Sequence, residues 1–288
     1  MGGTALILGA TGRAGRQGAE AFEAAGWSVR RYNRAAQDMT VAADGADVIL
    51  NGLSPPNYHD WDSIVPRITR QVIEAARTHQ ATVILPGNVY HFGDQPGVWS
   101  EKTAPRPVSR KGEIRLEMER AYAESGVRTI VLRAGNFIDF PGRGCIMSLI
   151  YLRDIARGRI TLPGPAETRQ AMCYMPDWAR AAVALAEKRA SLSEFEDIPF
   201  AGHTLSALDI KAGLEAILAR DLRFVRFPWW FFNVSAPFWE LAREMNEMRY
   251  LWRTDHALSD SRLREVLPGF EVTPLDKVLR RALPAGLA

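Results

Sequence analysis

The chain has 288 residues, with 36 lysines and arginines against 33 acidic residues and a formal net charge of +3. That balance is too even for a dedicated nucleic-acid binder, and no run approaches the ~20 apolar residues of a membrane span. At 47% hydrophobic it can fill the core of one large α/β unit or two small ones.

The first apolar run is Ala5-Leu6-Ile7-Leu8, and Gly9-Ala10-Thr11-Gly12-Arg13-Ala14-Gly15-Arg16 follows it directly. A strand ending in glycines spaced three apart, then opening a helix over Ala14–Ala25, brings peptide N–H groups close to a pyrophosphate. The helix start adds roughly half a positive charge at the same spot. Trp27–Tyr32 reads as the second strand, and Gly45–Asn51 leads into the next. Asp60–His79 is amphipathic, with Ile64, Ile68, Val72 and Ala75 on one face. Ala81–Leu85 is a buried strand, Val108–Ser125 a helix, and Thr129–Arg133 a strand after the stop at Gly126. Alternating strands and helices predict a Rossmann-type doubly wound parallel sheet.

From about Asn136 the rhythm breaks into short strands, helices and Pro/Gly turns. We therefore expect a nucleotide-binding domain over 1–135 and a smaller α/β substrate lobe over 136–288, with about 172–180 returning to the first domain. Only twelve residues separate Arg34 from Asp47, where a helix and another strand would ordinarily fit, so this segment is shortened. Cys145 and Cys173 lack metal-ligand spacing and are too few for a disulfide framework, as expected of a reducing cytoplasmic interior. The opening Met-Gly-Gly-Thr has no secretion-signal pattern. The five histidines show no metal-ligand spacing, so no metal is expected.

The tip of the second strand selects between the two dinucleotides, because a carboxylate there bonds the ribose hydroxyl whereas arginine accepts a phosphate. Here it reads Arg31-Tyr32-Asn33-Arg34, with no acid before Asp38 and with Arg13 facing the same region. Guanidiniums that grip a phosphate bidentately favour NADP over NAD. The alternative is a set of solvated surface arginines, of which a chain with five lysines and 31 arginines has many.

The order of these pieces resembles the short-chain dehydrogenase/reductase superfamily in its extended and atypical branches, nearest to NAD-dependent epimerase/dehydratase-like proteins. Gly9–Gly15 is similar to its nucleotide turn. Asn51-Gly52-Leu53-Ser54 stands where a strand ends beside the cofactor. Asn88-Val89-Tyr90-His91-Phe92-Gly93 is similar to the family's Val-Tyr-Gly segment, and Leu132-Arg133-Ala134-Gly135-Asn136-Phe137 to its Leu-Arg-Pro-Gly-Asn segment. Tyr174–Arg180 is similar to Val-Asp-Asp-Val-Ala. The resemblance implies cofactor contacts at Gly9, Thr11, Gly12, Arg13, Ala14, Gly15, Asn33, Arg34, Gly52, Leu53, Ser54, Gly87, Lys111 and Asn136.

The family's catalytic Ser or Thr, Tyr and Lys are not intact. Leu85-Pro86-Gly87-Asn88 offers no hydroxyl, and Tyr122 lies too far along its helix. Lys111 stands at the tyrosine position and Arg115 at the lysine position. This Lys-x3-Arg-x3-Glu spacing resembles the isoflavone-reductase-like and NmrA-like branch, whose lysine is thought to act as acid and base. Positions 111, 115 and 119 share a helical face, so Glu119 can pair with Arg115 and leave Lys111 free. The other reading of Lys111 is a solvated lysine on an exposed turn. Asn88 could hold a substrate oxygen or a water, whereas Tyr90 is expected to pack.

Phe224–Trp252 is dense in aromatics: core of the second lobe, roof of an apolar pocket, dimer face or membrane-resting surface. Trp239, Met245, Met248 and Trp252 recur at helical spacing as a buried stripe, with Arg243, Glu244, Glu247 and Arg249 on the wet side. Flanking basic residues are too sparse to favour a membrane. Three functions compete: an NADP-dependent oxidoreductase or epimerase/dehydratase-like enzyme acting on a small organic molecule, with Lys111 and Asn88 in the site; a non-catalytic NADP(H) sensor or scaffold of the NmrA-like kind; and a peripheral membrane or assembly subunit that uses the fold structurally. An open cleft near the nicotinamide favours the first, a plugged one the second. Arg143 or Arg169 is a guess for an anionic group on the substrate. A homodimer is compatible with the sequence, and no nucleic-acid partner is expected.

Overall fold

The computed structural model describes residues 2–140 and 144–287. Its first half winds β1 (Thr4–Leu8), α1 (Arg13–Ala24), β2 (Ser28–Arg31), the single turn α2 (Met39–Ala42), β3 (Val48–Asn51), α3 (Trp61–His79), β4 (Thr82–Gly87), β5 (Gly97–Trp99), α4 (Arg110–Ala123) and β6 (Thr129–Arg133). The second half holds β7 (Asn136–Ile138), β8 (Arg159–Leu162), β9 (Gln170–Tyr174), α5 (Met175–Lys188), β10 (Phe195–Pro199), β11 (His203–Leu205), α6 (Ala207–Leu218) and β12 (Arg223–Arg226). It ends with α7 (Trp229–Ser235), α8 (Glu240–Glu247), β13 (His256–Leu258), α9 (Ser261–Val266) and α10 (Leu275–Ala282).

Six strands form one parallel sheet in the order β10-β6-β4-β3-β1-β2. Its inner strands are unbroken apolar runs because both faces are covered by helices. Ala5, Ile7, Val48, Leu50, Ile84, Ile130 and Leu132 pack on one face with α1 and α5. Leu6, Leu8, Ile49, Val83, Leu85 and Val131 pack on the other, with α3 and α4. The buried face of α3 centres on Val65, Thr69, Val72 and Ala76, so Ile64 and Ile68 lie half-buried at its margin.

The shortened segment removes a strand. Between Arg34 and Asp47 the chain makes only the turn of α2, and β2 becomes the sheet edge. Twelve residues cannot hold both a crossover helix and a further strand.

The second half builds a smaller layer from β11-β9-β7, the pair β12-β8 and α6 and α10, over a core that includes Tyr151, Trp229 and Trp252. It is stitched to the first half. β10 pairs with β6 inside the main sheet, and β13 pairs with β5. Trp178 on α5 is fully buried and donates its indole N–H to the carbonyl of Leu132, 3.0 Å away. Asp177 beside it, 1% exposed, accepts from the backbone N–H and the hydroxyl of Thr273, each at 2.7 Å. These contacts bring the Tyr174–Arg180 segment onto the main sheet.

Candidate functional site

The elbow after β1 is built from glycines because backbone fills the space where side chains would stand. Gly9 has φ of 69°, a left-handed conformation that favours glycine. A Cβ on Gly15 would lie 2.2 Å from the Gly9 carbonyl oxygen, and one on Gly52 would lie 2.8 Å from the Gly15 nitrogen. Glycines 9, 15 and 52 therefore let the turn, α1 and the end of β3 close on one another. Gly12 opens α1 without a side-chain cap, and no acidic residue occupies the first turn. The leading amides, at Arg13, Ala14 and Gly15, are left for an anion, which fits a dinucleotide pyrophosphate. Thr11 is exposed on the rim of the turn.

At the tip of β2 the arginines have other partners. Arg31 donates to both carboxylate oxygens of Glu23, at 2.7 and 3.0 Å, and Arg13 donates to the carbonyl of Gly144. Asn33 accepts from the Ala35 amide at 3.0 Å, forming a turn, and Arg34 is exposed.

Leu53 and Ser54 continue past β3. The Leu53 amide donates to Asn51 Oδ1 (3.2 Å), and Asn51 Nδ2 donates to the Tyr122 hydroxyl (3.2 Å). Tyr122 is thus a buried structural group, its hydroxyl pushed to higher pKa by burial. Gly87 ends β4 against Val131 and Arg133, where a Cβ would meet Val131 at 2.6 Å. Asn88 closes its own turn, with Oδ1 accepting from the Tyr90 amide at 3.1 Å. That bond takes up one lone pair of the side-chain oxygen. Asn136 donates from Nδ2 to Gln170, at 2.8 Å. Arg143 lies outside the described residues, and Arg169 is exposed.

Beneath the Asn88 loop lies a buried ionic node. Arg133, 1% exposed, reaches Glu119 and Asp197, both at 2.7 Å, and also donates to the Asn88 carbonyl, at 2.6 Å. His91 Nδ1 is 3.2 Å from the same guanidinium. Burial, then the Arg133 charge, push the His91 imidazole down to about 3, so it is neutral at physiological pH. Burial pushes the Glu119 carboxyl up, but Arg133, His91 and Arg115 together hold it below its ordinary value. Glu119 is accordingly the partner of Arg133, which corrects the expected pairing with Arg115. The Arg115 guanidinium instead donates to the Pro86 carbonyl.

Lys111 is not the free lysine that the helix spacing suggested. It is 2% exposed, and its ammonium is gripped by Glu244 and Glu247 of α8. Its backbone N–H also donates to Glu247 Oε1 at 3.1 Å. Glu244 and Glu247 therefore face inward, although their spacing read as the wet side of a helix. Ser109 caps α4 by accepting from the Gly112 amide at 3.1 Å. Tyr58 lies under the ammonium, its ring centroid 5.4 Å from Nζ, and its hydroxyl is 3.1 Å from that of Tyr90. Tyr90, and after it burial, raise the Tyr58 hydroxyl well above the ordinary range. Tyr90 packs against Trp61 as well, as expected.

Tyr58, Glu244 and Glu247 were missed as site residues. The glutamates had a readable signal, since Glu240, Glu244 and Glu247 share one helical face. Tyr58 had none: it sits in a loop where Asn57, Tyr58 and Asp60 all take positive φ. The aromatic stretch divides. Trp229, Met248 and Trp252 are buried, Met245 is half-buried, and Trp230, Phe231, Phe238 and Trp239 are exposed, so Trp239 leaves the predicted stripe.

No family model matches the chain, and no curated protein matches it in sequence. Solved structures do match over nearly its whole length. MoeE5 in complex with UDP-glucose and NAD superposes with a TM-score of 0.77 at 15% identity, covering 97% of each chain. The chain shares the overall fold of that structure. UDP-glucuronic acid 4-epimerase from Bacillus cereus, with UDP-glucuronic acid and NAD, gives 0.76 at 15% identity, again over 97% of each chain. WbmH from Bordetella bronchiseptica, with NAD+, gives 0.71 at 13% identity over 98% of this chain and 97% of its own. These epimerase/dehydratase-type neighbours overturn the expectation of NADP, because the dinucleotide in their complexes is NAD. In the structure two of the guanidiniums read as a phosphate clamp are engaged elsewhere, Arg31 by Glu23 and Arg13 by a carbonyl, while Arg34 is exposed.

Proposed function

We propose that the protein is an NAD-dependent enzyme of the atypical short-chain dehydrogenase/reductase type, acting on a small organic substrate held between the carboxyl ends of the inner strands and the second lobe. The observation that carries this reading is the triple-glycine closure of Gly9, Gly15 and Gly52 around the uncapped start of α1. The amides of Arg13, Ala14 and Gly15 would hold the pyrophosphate, and Asn33 and Arg34 would border the adenosine ribose. When bound, NAD would supply the hydride acceptor for a substrate alcohol. Lys111 takes the place of the usual tyrosine, carrying a proton at Nζ over the Tyr58 ring. Arg115 contributes charge without touching substrate, since its guanidinium is tied to the Pro86 carbonyl. Glu244 and Glu247 must leave Lys111 before a substrate oxygen can reach it.

The same closure favours a second reading, an NAD(H)-binding sensor or scaffold, because α8 side chains occupy the position a substrate would need. One experiment separates the two. NAD binding is measured by calorimetry, and a panel of alcohols and carbonyl compounds is followed at the NADH absorbance with wild type and Lys111→Ala. The enzyme reading expects turnover of at least one compound, reduced about a hundredfold or more in the variant. NAD binding without any turnover would leave the sensor. Absence of NAD binding would remove both.

A further inference from the structure

α8 carries three glutamates, Glu240, Glu244 and Glu247, at positions i, i+4 and i+7, so they form one face. All three cross from the second lobe to the nucleotide-binding half. Glu240 pairs with His59 Nδ1 at 2.8 Å, while Glu244 and Glu247 hold Lys111. Arg243 supports Glu244, with Nε 3.2 Å from Oε1. The opposite side of α8 is anchored in its own lobe. Ala242 is fully buried, Asn246 donates to the Phe232 carbonyl at 3.0 Å, and Met248 and Trp252 just beyond the helix are buried. The chain entering α8 belongs to the same lobe: the Phe238 and Trp239 amides donate to the Ser235 carbonyl and the Trp239 ring stacks on Phe232, while the Phe238 side chain is 94% exposed. The helix is therefore fixed at its back; among the described residues its own polar contacts with the nucleotide-binding half run through the three carboxylates, and just beyond it the Tyr250 hydroxyl donates to the Tyr90 carbonyl at 3.3 Å.

Lys111 is 3% exposed at its side chain, Glu244 16% and Glu247 27%. Sinking an ammonium between two carboxylates costs desolvation that their attraction only partly returns, so an apolar contact would hold α8 at least as firmly. What an ionic contact adds is exchangeability: another anion can take the place of the carboxylates with no new charge left bare.

We propose that α8 is a lid latched over the cleft by its glutamate face, and that the substrate opens it by presenting an anionic group to Lys111 in place of Glu244 and Glu247. This rests on the reading of the cleft as an NAD-dependent site and adds to it both a substrate class, small anions, and a gate. In the closed state the glutamates stand in for that anionic group and keep water and other molecules from the proton-carrying amine.

The test is hydrogen–deuterium exchange of the peptide spanning α8 in NAD-saturated protein, with inorganic phosphate as the probe anion. In wild type, millimolar phosphate is expected to raise α8 exchange roughly tenfold. In Glu244→Gln/Glu247→Gln the exchange is expected to be raised already, and phosphate should change it little. Lys111→Arg, which keeps the cation, should behave like wild type, while Lys111→Met should be open and indifferent to phosphate. Equal α8 exchange in wild type and the double glutamine variant would overturn the latch. A phosphate response in Lys111→Met as large as in wild type would overturn the anion's placement at this lysine. The wild-type phosphate titration needs no variant to fold, and its flat outcome would also count against the gate. Calorimetry with NAD runs in parallel, so loss of the cofactor reading registers there and is distinguishable from failure of the lid.

Discussion

Gly15 is the residue at which sequence and geometry constrain each other most tightly. A methyl group there would come within 2.2 Å of a backbone oxygen, which cannot swing away as a side chain could. Gly15→Ala should therefore destabilise the protein by about 3 kcal/mol and abolish NAD binding, read by urea unfolding and calorimetric titration. A variant that binds NAD normally would contradict the assignment of the elbow. His91 provides a pH signature. Its folded pKa is held near 3, below the unfolded value, so the folded state binds no proton where the unfolded state does. Stability from this group is fully present above about 6.5 and is lost as pH falls from there toward 3, at about 1.4 kcal/mol per pH unit. His203 and His256 are also depressed by burial and act in the same direction. His91→Asn should flatten the acid limb by roughly one proton, measured as unfolding free energy against pH. Glu119 adds its own loss lower still, since its carboxyl is held below the ordinary range.

Among elements, the strands were the most legible. Thr129–Arg133 appears where the apolar run placed it, because a strand buried on both faces has no alternative use for four consecutive apolar or β-branched positions. The helices were legible in extent but less so in orientation. α3 turned its face by one position from Ile64 and Ile68 toward Val65 and Thr69, and α8 turned its glutamates inward. Both depend on tertiary partners far away in sequence: the ionic attraction of Lys111 overrides the preference of glutamate for water. The pairing of Glu119 with Arg133 rather than Arg115 was illegible for the same reason, since β6 supplies a closer cation than the helix itself. The start of α5 shows how one buried acid joins elements. Asp177→Ala removes the acceptor for two Thr273 donors and should cost about 2 kcal/mol, seen as a lowered urea midpoint. An unchanged midpoint would mean that water replaces the carboxylate there.

For the whole molecule, the sheet cannot be completed from the first half of the chain. β10 supplies its outer strand beside β6, Asp197 on that strand neutralises Arg133, and Trp178 covers Leu132. A fragment ending at residue 135 lacks all of these and leaves Arg133 with one carboxylate fewer. It should show no cooperative thermal transition by circular dichroism and no NAD binding, whereas the full chain shows both. A cooperatively melting fragment would show that 1–135 is an autonomous domain. The parallel sheet itself was visible from the alternation of apolar runs and amphipathic stretches. The return of β10 to its edge was not, because pairing across such a distance leaves no local trace.

That late-arriving strand has a consequence for biosynthesis. While the ribosome is still making residues beyond 133, the apolar runs that will become β1, β3, β4 and β6 have no completed sheet to enter and stay exposed. The nascent polypeptide must therefore be shielded until residues 195–199 emerge, and slowing translation within the intervening stretch should increase its dependence on chaperones.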